Sequence, residues 1–371
     1  MTMIAIAIGS LVVISVAAGV LYQFVGARRS ARLYAPPGTM IDVGGQQLHL
    51  VSAGNGRPTV LFESGIAASS LSWARVRPAV AAFTSACAYD RAGLGWSDPG
   101  RAPRTVARMV AELRAVLANA ASGGPAILVG HSFGALLVCA YASAHPADIA
   151  GLVLLDPPSE WHPMTGQRAR LLRGGIQLSR VGELLARVGV VRACLALLAG
   201  GTPGIPRRFV RVFGPTAART LERLVGEVRK LPPDLHPVVQ ALWCQPKCFR
   251  AMADHLAVLE ETTAAVDRVI SLADLPLVVI TSGDQSPDTL EQHRRLAQRS
   301  SRGRHMVATN SGHWIQFDEP DLVVTVIRDM LRRDLQSTGG GVDCTDDSTN
   351  SQAARCVDRP SVSGGGRRAG P

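Results

Sequence analysis

Gly130-His131-Ser132-Phe133-Gly134 follows the apolar run Ala126-Ile127-Leu128-Val129 and leads into a segment, 133–141, that reads as a helix. A serine between two glycines at a strand-to-helix junction requires a turn too tight for flanking side chains. Such a turn, the nucleophile elbow, lifts the hydroxyl clear of the backbone and sets it at the N-terminus of the next helix. The chain is thereby constrained to a fold in which a buried strand passes directly into a packed helix.

The surrounding pattern repeats that unit. Strand-like segments at 59–63, 86–90, 126–130 and 151–156 alternate with helical ones at about 70–82, 105–120 and 133–145. Residues 40–51, with Gly44-Gly45 at their centre, read as an opening hairpin. The alternation predicts an α/β fold, a mostly parallel sheet with helices on both faces. It breaks after Pro157-Pro158, and strands resume only at 277–282 and 304–309, followed by a helix over about 320–334. The chain therefore divides into a core, 40–156 and 266–335, and a helical lid insertion, 157–265, over the carboxyl ends of the strands. Leu171, Leu178, Leu184 and their apolar neighbours are candidates to line a pocket beneath the lid. Residues 336–371 turn to Ser, Thr, Gly and Asp and are expected to be disordered.

A serine nucleophile needs a base, and the base an acid to orient it. In an elbow fold both follow the serine in the chain. His313, in the loop after the last strand, is the leading base. His131 abuts the serine, but its side chain leaves the turn in another direction. For the acid, Asp284 leads because it follows the strand 277–282. Asp156, ending the strand in GLVLLDPP, is second, and Asp288 reads as a helix cap. An oxyanion hole needs two backbone N–H donors. Phe133 supplies one. Ile66, in the loop after strand 59–63, is the candidate for the other.

These blocks in this order, VLFESGIAASSLSW, AYDRAGLGWSDPG, ILVGHSFGALLVCAYASAHP, VVITSGD and NSGHWIQFDEP, resemble the α/β-hydrolase superfamily over about 40–335. The similarity is to lid-bearing bacterial serine hydrolases like proline iminopeptidases and small-ester hydrolases. It implies an α/β-hydrolase fold and a Ser132, Asp284, His313 triad. It also implies that the loop 90–97 stabilises the fold through an Asp/Arg pair and tight glycines. A serine in the elbow disfavours dehalogenase and epoxide hydrolase chemistry, which use aspartate there. Ester, thioester and amide hydrolysis remain, with an aminopeptidase variant needing acids such as Glu222, Glu227, Glu260 or Glu261 to hold the substrate amine. The rival from another class is a non-catalytic binding protein on the same scaffold.

Residues 3–25 carry no charge and are long enough to span a bilayer as a helix, and Arg28, Arg29 and Arg32 follow. No basic residue precedes the apolar run, which favours a retained transmembrane helix over a cleaved signal peptide. The flanking arginines place the catalytic domain on the cytoplasmic side. The net charge of +10 comes with no nucleic-acid motif, so it is read as solvation and attraction to anionic lipid headgroups. The expected partners are a small-molecule substrate and membrane lipid. Cys244 and Cys248 lack a second ligand pair, so neither a metal nor a cofactor is expected. A disulfide within 157–265, or between Cys344 and Cys356, is left open.

Overall fold

A computed structural model describes residues 2–120, 123–158, 165–199, 228–268 and 272–338. His162, Glu222, Glu227, Cys344 and Cys356, and the tail from 339 onward, lie outside the described residues. Eight strands form one sheet: β1 (Thr39–Asp42), β2 (Gln47–Ala53), β3 (Val60–Glu63), β4 (Ala86–Tyr89), β5 (Ala126–His131), β6 (Ile149–Leu155), β7 (Leu277–Ser282) and β8 (Gly303–Ala308). Their order across the sheet is β1-β2-β4-β3-β5-β6-β7-β8. The opening hairpin joins antiparallel to β4, and every later pairing is parallel, as the alternation predicts.

A long helix, α1 (Thr2–Leu33), precedes the sheet. The expected helix at 70–82 is instead a 3-10 turn, Ser70–Trp73, and a short α2 (Arg77–Ala81), because Pro78 can enter only at the first turn of a helix. α3 (Val106–Ala120) and α4 (Phe133–Ala144) cover one face. Between β6 and β7 come α5 (Gly166–Arg187), α6 (Val190–Ala199), α7 (His236–Trp243), α8 (Pro246–Ala257) and α9 (Leu259–Asp267). α10 (Pro287–Ala297), α11 (Ile315–Asp318) and α12 (Pro320–Thr338) complete the described chain, and α12 continues three residues into the expected tail.

The two faces of the sheet bury separate clusters. Leu128, Leu152, Val279 and Leu113 lie on the α3/α4 side, and Phe62, Val129, Val153 and Ile327 on the α2/α12 side. Each such side chain contributes about 1.5–3 kcal/mol by leaving water. β5 and β6 are buried at every position but Ala150, which makes them the rigid centre of the sheet. In the helical layer, Leu171, Leu178 and Leu184 turn outward and are exposed, so they do not line an interior pocket. The face of α5 that packs on α8 is built from Ser179, Gly182 and Ala186 instead.

Candidate active site

Ser132 sits between β5 and α4 with φ 54° and ψ −123°. A non-glycine residue there stores about 1–3 kcal/mol of backbone strain. The flanking glycines are required by close approach. A Cβ on Gly130 would come within 2.6 Å of Ala135 Cα, and one on Gly134 within 2.5 Å of the Glu63 carbonyl oxygen. The turn is held from the neighbouring strand, where the Leu155 carbonyl accepts the Ser132 N–H at 2.9 Å.

The structure pairs His313 with the second-ranked aspartate. His313 Nδ1 lies 2.6 Å from Asp156 Oδ2, and the first-ranked Asp284 is not its partner. Asp284 is exposed, and its Oδ1 accepts the Ser282 hydroxyl at 2.7 Å. Sheet register supplies the reason. His131 pairs with Leu155 and Leu155 with Ile280, so Ser132, Asp156 and Thr281 stand level across the strands. Asp284 follows three residues later, in the turn beyond the end of β7 at Ser282.

Asp156 is built into this position. It is 1% exposed and has φ 43°, a second non-glycine residue at positive φ beside Ser132. Its Oδ1 accepts the Ser282 N–H at 3.1 Å, and its Oδ2 accepts the Gln285 side-chain amide at 2.8 Å. Burial pushes its carboxyl up. The His313 hydrogen bond and charge, the Ser282 N–H and the Gln285 amide outweigh that and hold it below the usual carboxylate range. A further chain fixes the turn behind it. His293 Nε2 donates to the Pro157 carbonyl at 2.8 Å, and Thr281 Oγ bridges His293 Nδ1 at 2.7 Å and His305 Nε2 at 2.8 Å.

His131 packs behind the site. Its Nε2 donates to the His313 carbonyl at 2.8 Å, and its ring meets those of His313 and Trp314 at 4.8 and 4.9 Å between centroids. Burial first, then the neighbouring His313, lower its pKa to about 3, so it remains a neutral support. Among the described residues no hydrogen bond joins Ser132 Oγ to His313.

The Ile66 loop lies against the serine. A Cβ on Gly65 would stand 3.4 Å from Ser132 Cβ. Arg91 fixes this loop: its Nη1 donates to the Ser64 carbonyl and its Nη2 to the Gly65 carbonyl, while Nη1 also pairs with Glu63. Tyr89 donates its hydroxyl to the other Glu63 oxygen. The resemblance implies an Asp/Arg pair in this loop, but Arg91 pairs with Glu63 instead. Asp90 holds His49 Nδ1 at 2.9 Å and the Ser70 N–H at 2.6 Å. Neither Glu63 nor Tyr89 stands out in sequence. An acid immediately before the Ser64-Gly65 turn, facing a loop arginine, is the signal that was there to read. The Ile66 and Phe133 N–H groups have no hydrogen-bond partner among the described residues.

His255 of α8 is fully buried against the Phe133 ring at 5.2 Å, with both ring nitrogens unpartnered. Burial pushes its pKa well below the ordinary value, with the Arg91 and Arg104 charges adding to the shift. Cys244 and Cys248 are buried free thiols, and no group of three metal-ligating side chains occurs among the described residues.

A mostly parallel eight-stranded sheet with helices on both faces defines an α/β architecture. Residues 60–326 match the Alpha/beta hydrolase family, and the chain belongs to it. It is 38% identical over 104 residues to the uncharacterized protein YqjL of Bacillus subtilis, a match covering 28% of this chain and 41% of YqjL. The 2-(acetamidomethylene)succinate hydrolase of Mesorhizobium japonicum is 27% identical over 260 residues, 66% of this chain and 87% of that enzyme. Among solved structures, the epoxide hydrolase CorEH superposes with a TM-score of 0.59 at 18% identity, covering 80% of this chain and 98% of that one. The thioesterase domain from the curacin biosynthetic pathway gives 0.55 at 18% identity, covering 78% and 98%. At such identities these structures speak to the fold alone.

Proposed function

We propose that this chain is a serine hydrolase that cleaves an apolar carboxylic ester, thioester or amide through an acyl-enzyme, held at a membrane by α1. His313 removes the Ser132 proton as Oγ attacks the substrate carbonyl. Asp156 holds the imidazole in the tautomer with a proton on Nδ1 and balances the imidazolium that forms. The Phe133 and Ile66 N–H groups receive the oxyanion, with Arg91 keeping the Ile66 loop in register. His313 then passes its proton to the leaving group and activates the water that frees the acid.

The observation that carries this reading is the 2.6 Å contact between Asp156 and His313 at the strand level of a serine at positive φ. The hydrolase activity of the Mesorhizobium relative is consistent with it. Of the acids that the aminopeptidase variant would need, Glu261 faces solvent on α9, and Glu222 and Glu227 lie outside the described residues. Retention of α1 is supported by its buried Gln23, whose Nε2 donates to the Cys244 carbonyl at 2.9 Å, because a segment removed as a signal would not be bonded into the fold.

The test is hydrolysis of p-nitrophenyl esters of increasing acyl length by the full chain and by Ser132→Ala. The proposal requires turnover that Ser132→Ala lowers at least about 10³-fold. Equal turnover by the two proteins would refute it.

A further inference from the structure

The lower half of α1 is docked on the helical layer. Gly19 passes so close to the end of α5 that a Cβ there would lie 2.3 Å from the Val188 carbonyl oxygen. One turn on, the buried Gln23 also accepts from Arg192 Nε at 2.9 Å, and Arg192 Nη1 reaches Ser30 Oγ at 3.2 Å. Trp96 Nε1 closes the junction by donating to the Tyr34 carbonyl at 2.8 Å. Residues 3–18 are all exposed, so only these 16 are free of the protein. They extend about 24 Å, short of the roughly 30 Å of hydrocarbon that a spanning helix crosses. The remaining span comes from the docked half, where Leu21, Phe24 and Val25 still face outward at 62%, 51% and 55% exposure and the first charge is Arg28. The hydrocarbon boundary therefore falls at the level where α1 meets α5 and α6.

α5 has the surface such a position calls for. Leu184 and Val181 lie one and two turns before Val188 on the side that meets α1, exposed by 63% and 42%, and Leu178 and Leu171 continue the apolar surface along the helix. Arg173, Arg180 and Arg187 recur every seven residues and form an exposed row beside Leu184, on the far side of the helix from Leu171 and Leu178, and Arg187 also pairs with Glu183 at 2.6 Å. Exposed apolar side chains with arginines along one side suit a helix lying in a headgroup layer.

We propose that the outer face of α5 is a docking surface for an anionic lipid bilayer, continuous with α1. Val181 and Leu184 enter the acyl boundary and the arginine row beside them meets the headgroup phosphates. This rests on the membrane reading of α1 above. It places the proposed site next to substrates that partition into lipid.

The experiment reconstitutes the full chain in phosphatidylcholine vesicles with and without phosphatidylglycerol, each doped with a lipid carrying a photoactivatable acyl chain. Crosslinked peptides are mapped by mass spectrometry. Labelling of both α1 and α5, with α10 unlabelled, supports the proposal. Val181→Glu/Leu184→Glu is expected to remove α5 labelling while α1 labelling persists. Omitting phosphatidylglycerol is expected to lower α5 labelling about tenfold. Labelled α1 with unlabelled α5 overturns the docking surface and leaves the anchor standing, and no labelling of α1 overturns both. Equal α5 labelling without the anionic lipid overturns the role given to the arginines.

Discussion

The carboxyl ends of β6 and β7 each carry an aspartate, and the sheet treats them differently. Asp156 is buried, held at positive φ and bonded to His313, Ser282 and Gln285. Asp284, in the turn after the adjacent strand, is exposed and accepts only the hydroxyl of Ser282 among the described contacts. Residue type and chain order do not separate them, since both follow the serine and precede the histidine. Hydrogen bonding does: His313 Nδ1 meets Asp156 Oδ2 at the level of the elbow, and Asp284 comes in the turn after β7 ends at Ser282.

Substitutions sharpen this contrast. Asp156→Asn is expected to lower kcat by about 10⁴-fold, because an amide no longer fixes the tautomer or balances the imidazolium. Asp284→Asn should stay within about threefold of wild type, since removing a surface contact of this kind changes little. Steady-state kinetics on one chromogenic ester reads both.

The Arg91 fork is the next largest effect. Arg91→Lys cannot hold the Ser64 and Gly65 carbonyls together, so kcat should fall about 10- to 100-fold with KM nearly unchanged. An equal change in kcat and KM, or none, would remove Arg91 from the account of the oxyanion loop.

A smaller effect concerns stability. His255 buries two unpartnered nitrogens, and His255→Leu should raise unfolding free energy by about 1–3 kcal/mol. The pH dependence has a definite sign. Below the ordinary value of 6.5 the unfolded chain protonates this histidine while the folded chain does not, because burial lowers its pKa. The unfolded state then binds more protons, so stability is fully present above that pH and falls as pH drops, by up to about 1.4 kcal/mol per unit for such a group. Urea denaturation at pH 7.5 and 5.5 should show a shallower loss for His255→Leu, and an unchanged loss would assign the pH dependence elsewhere.

The sheet was legible because strands buried on both faces, such as 126–130 and 151–156, stand out as apolar runs, and the glycine pair of the elbow leaves one backbone path. Ser132 and His313 follow from that path. Asp156 needed the register between three strands, which no local pattern encodes. The Glu63–Arg91–Tyr89 cluster needed the folding together of β3, β4 and the loop after β4. In the helical layer, amphipathic spacing located α5 but could not say which apolar side chains face in. Packing on α8 uses small residues, so Leu171, Leu178 and Leu184 point out.

The most direct test of the proposed triad is the rate of fluorophosphonate labelling, with the modified peptide identified by mass spectrometry. Wild type and Asp284→Asn are expected to label on Ser132 at closely similar rates, Asp156→Asn at least about 100-fold more slowly, and Ser132→Ala not at all. Fast labelling of Asp156→Asn together with a collapse in Asp284→Asn would contradict the assignment of the acid.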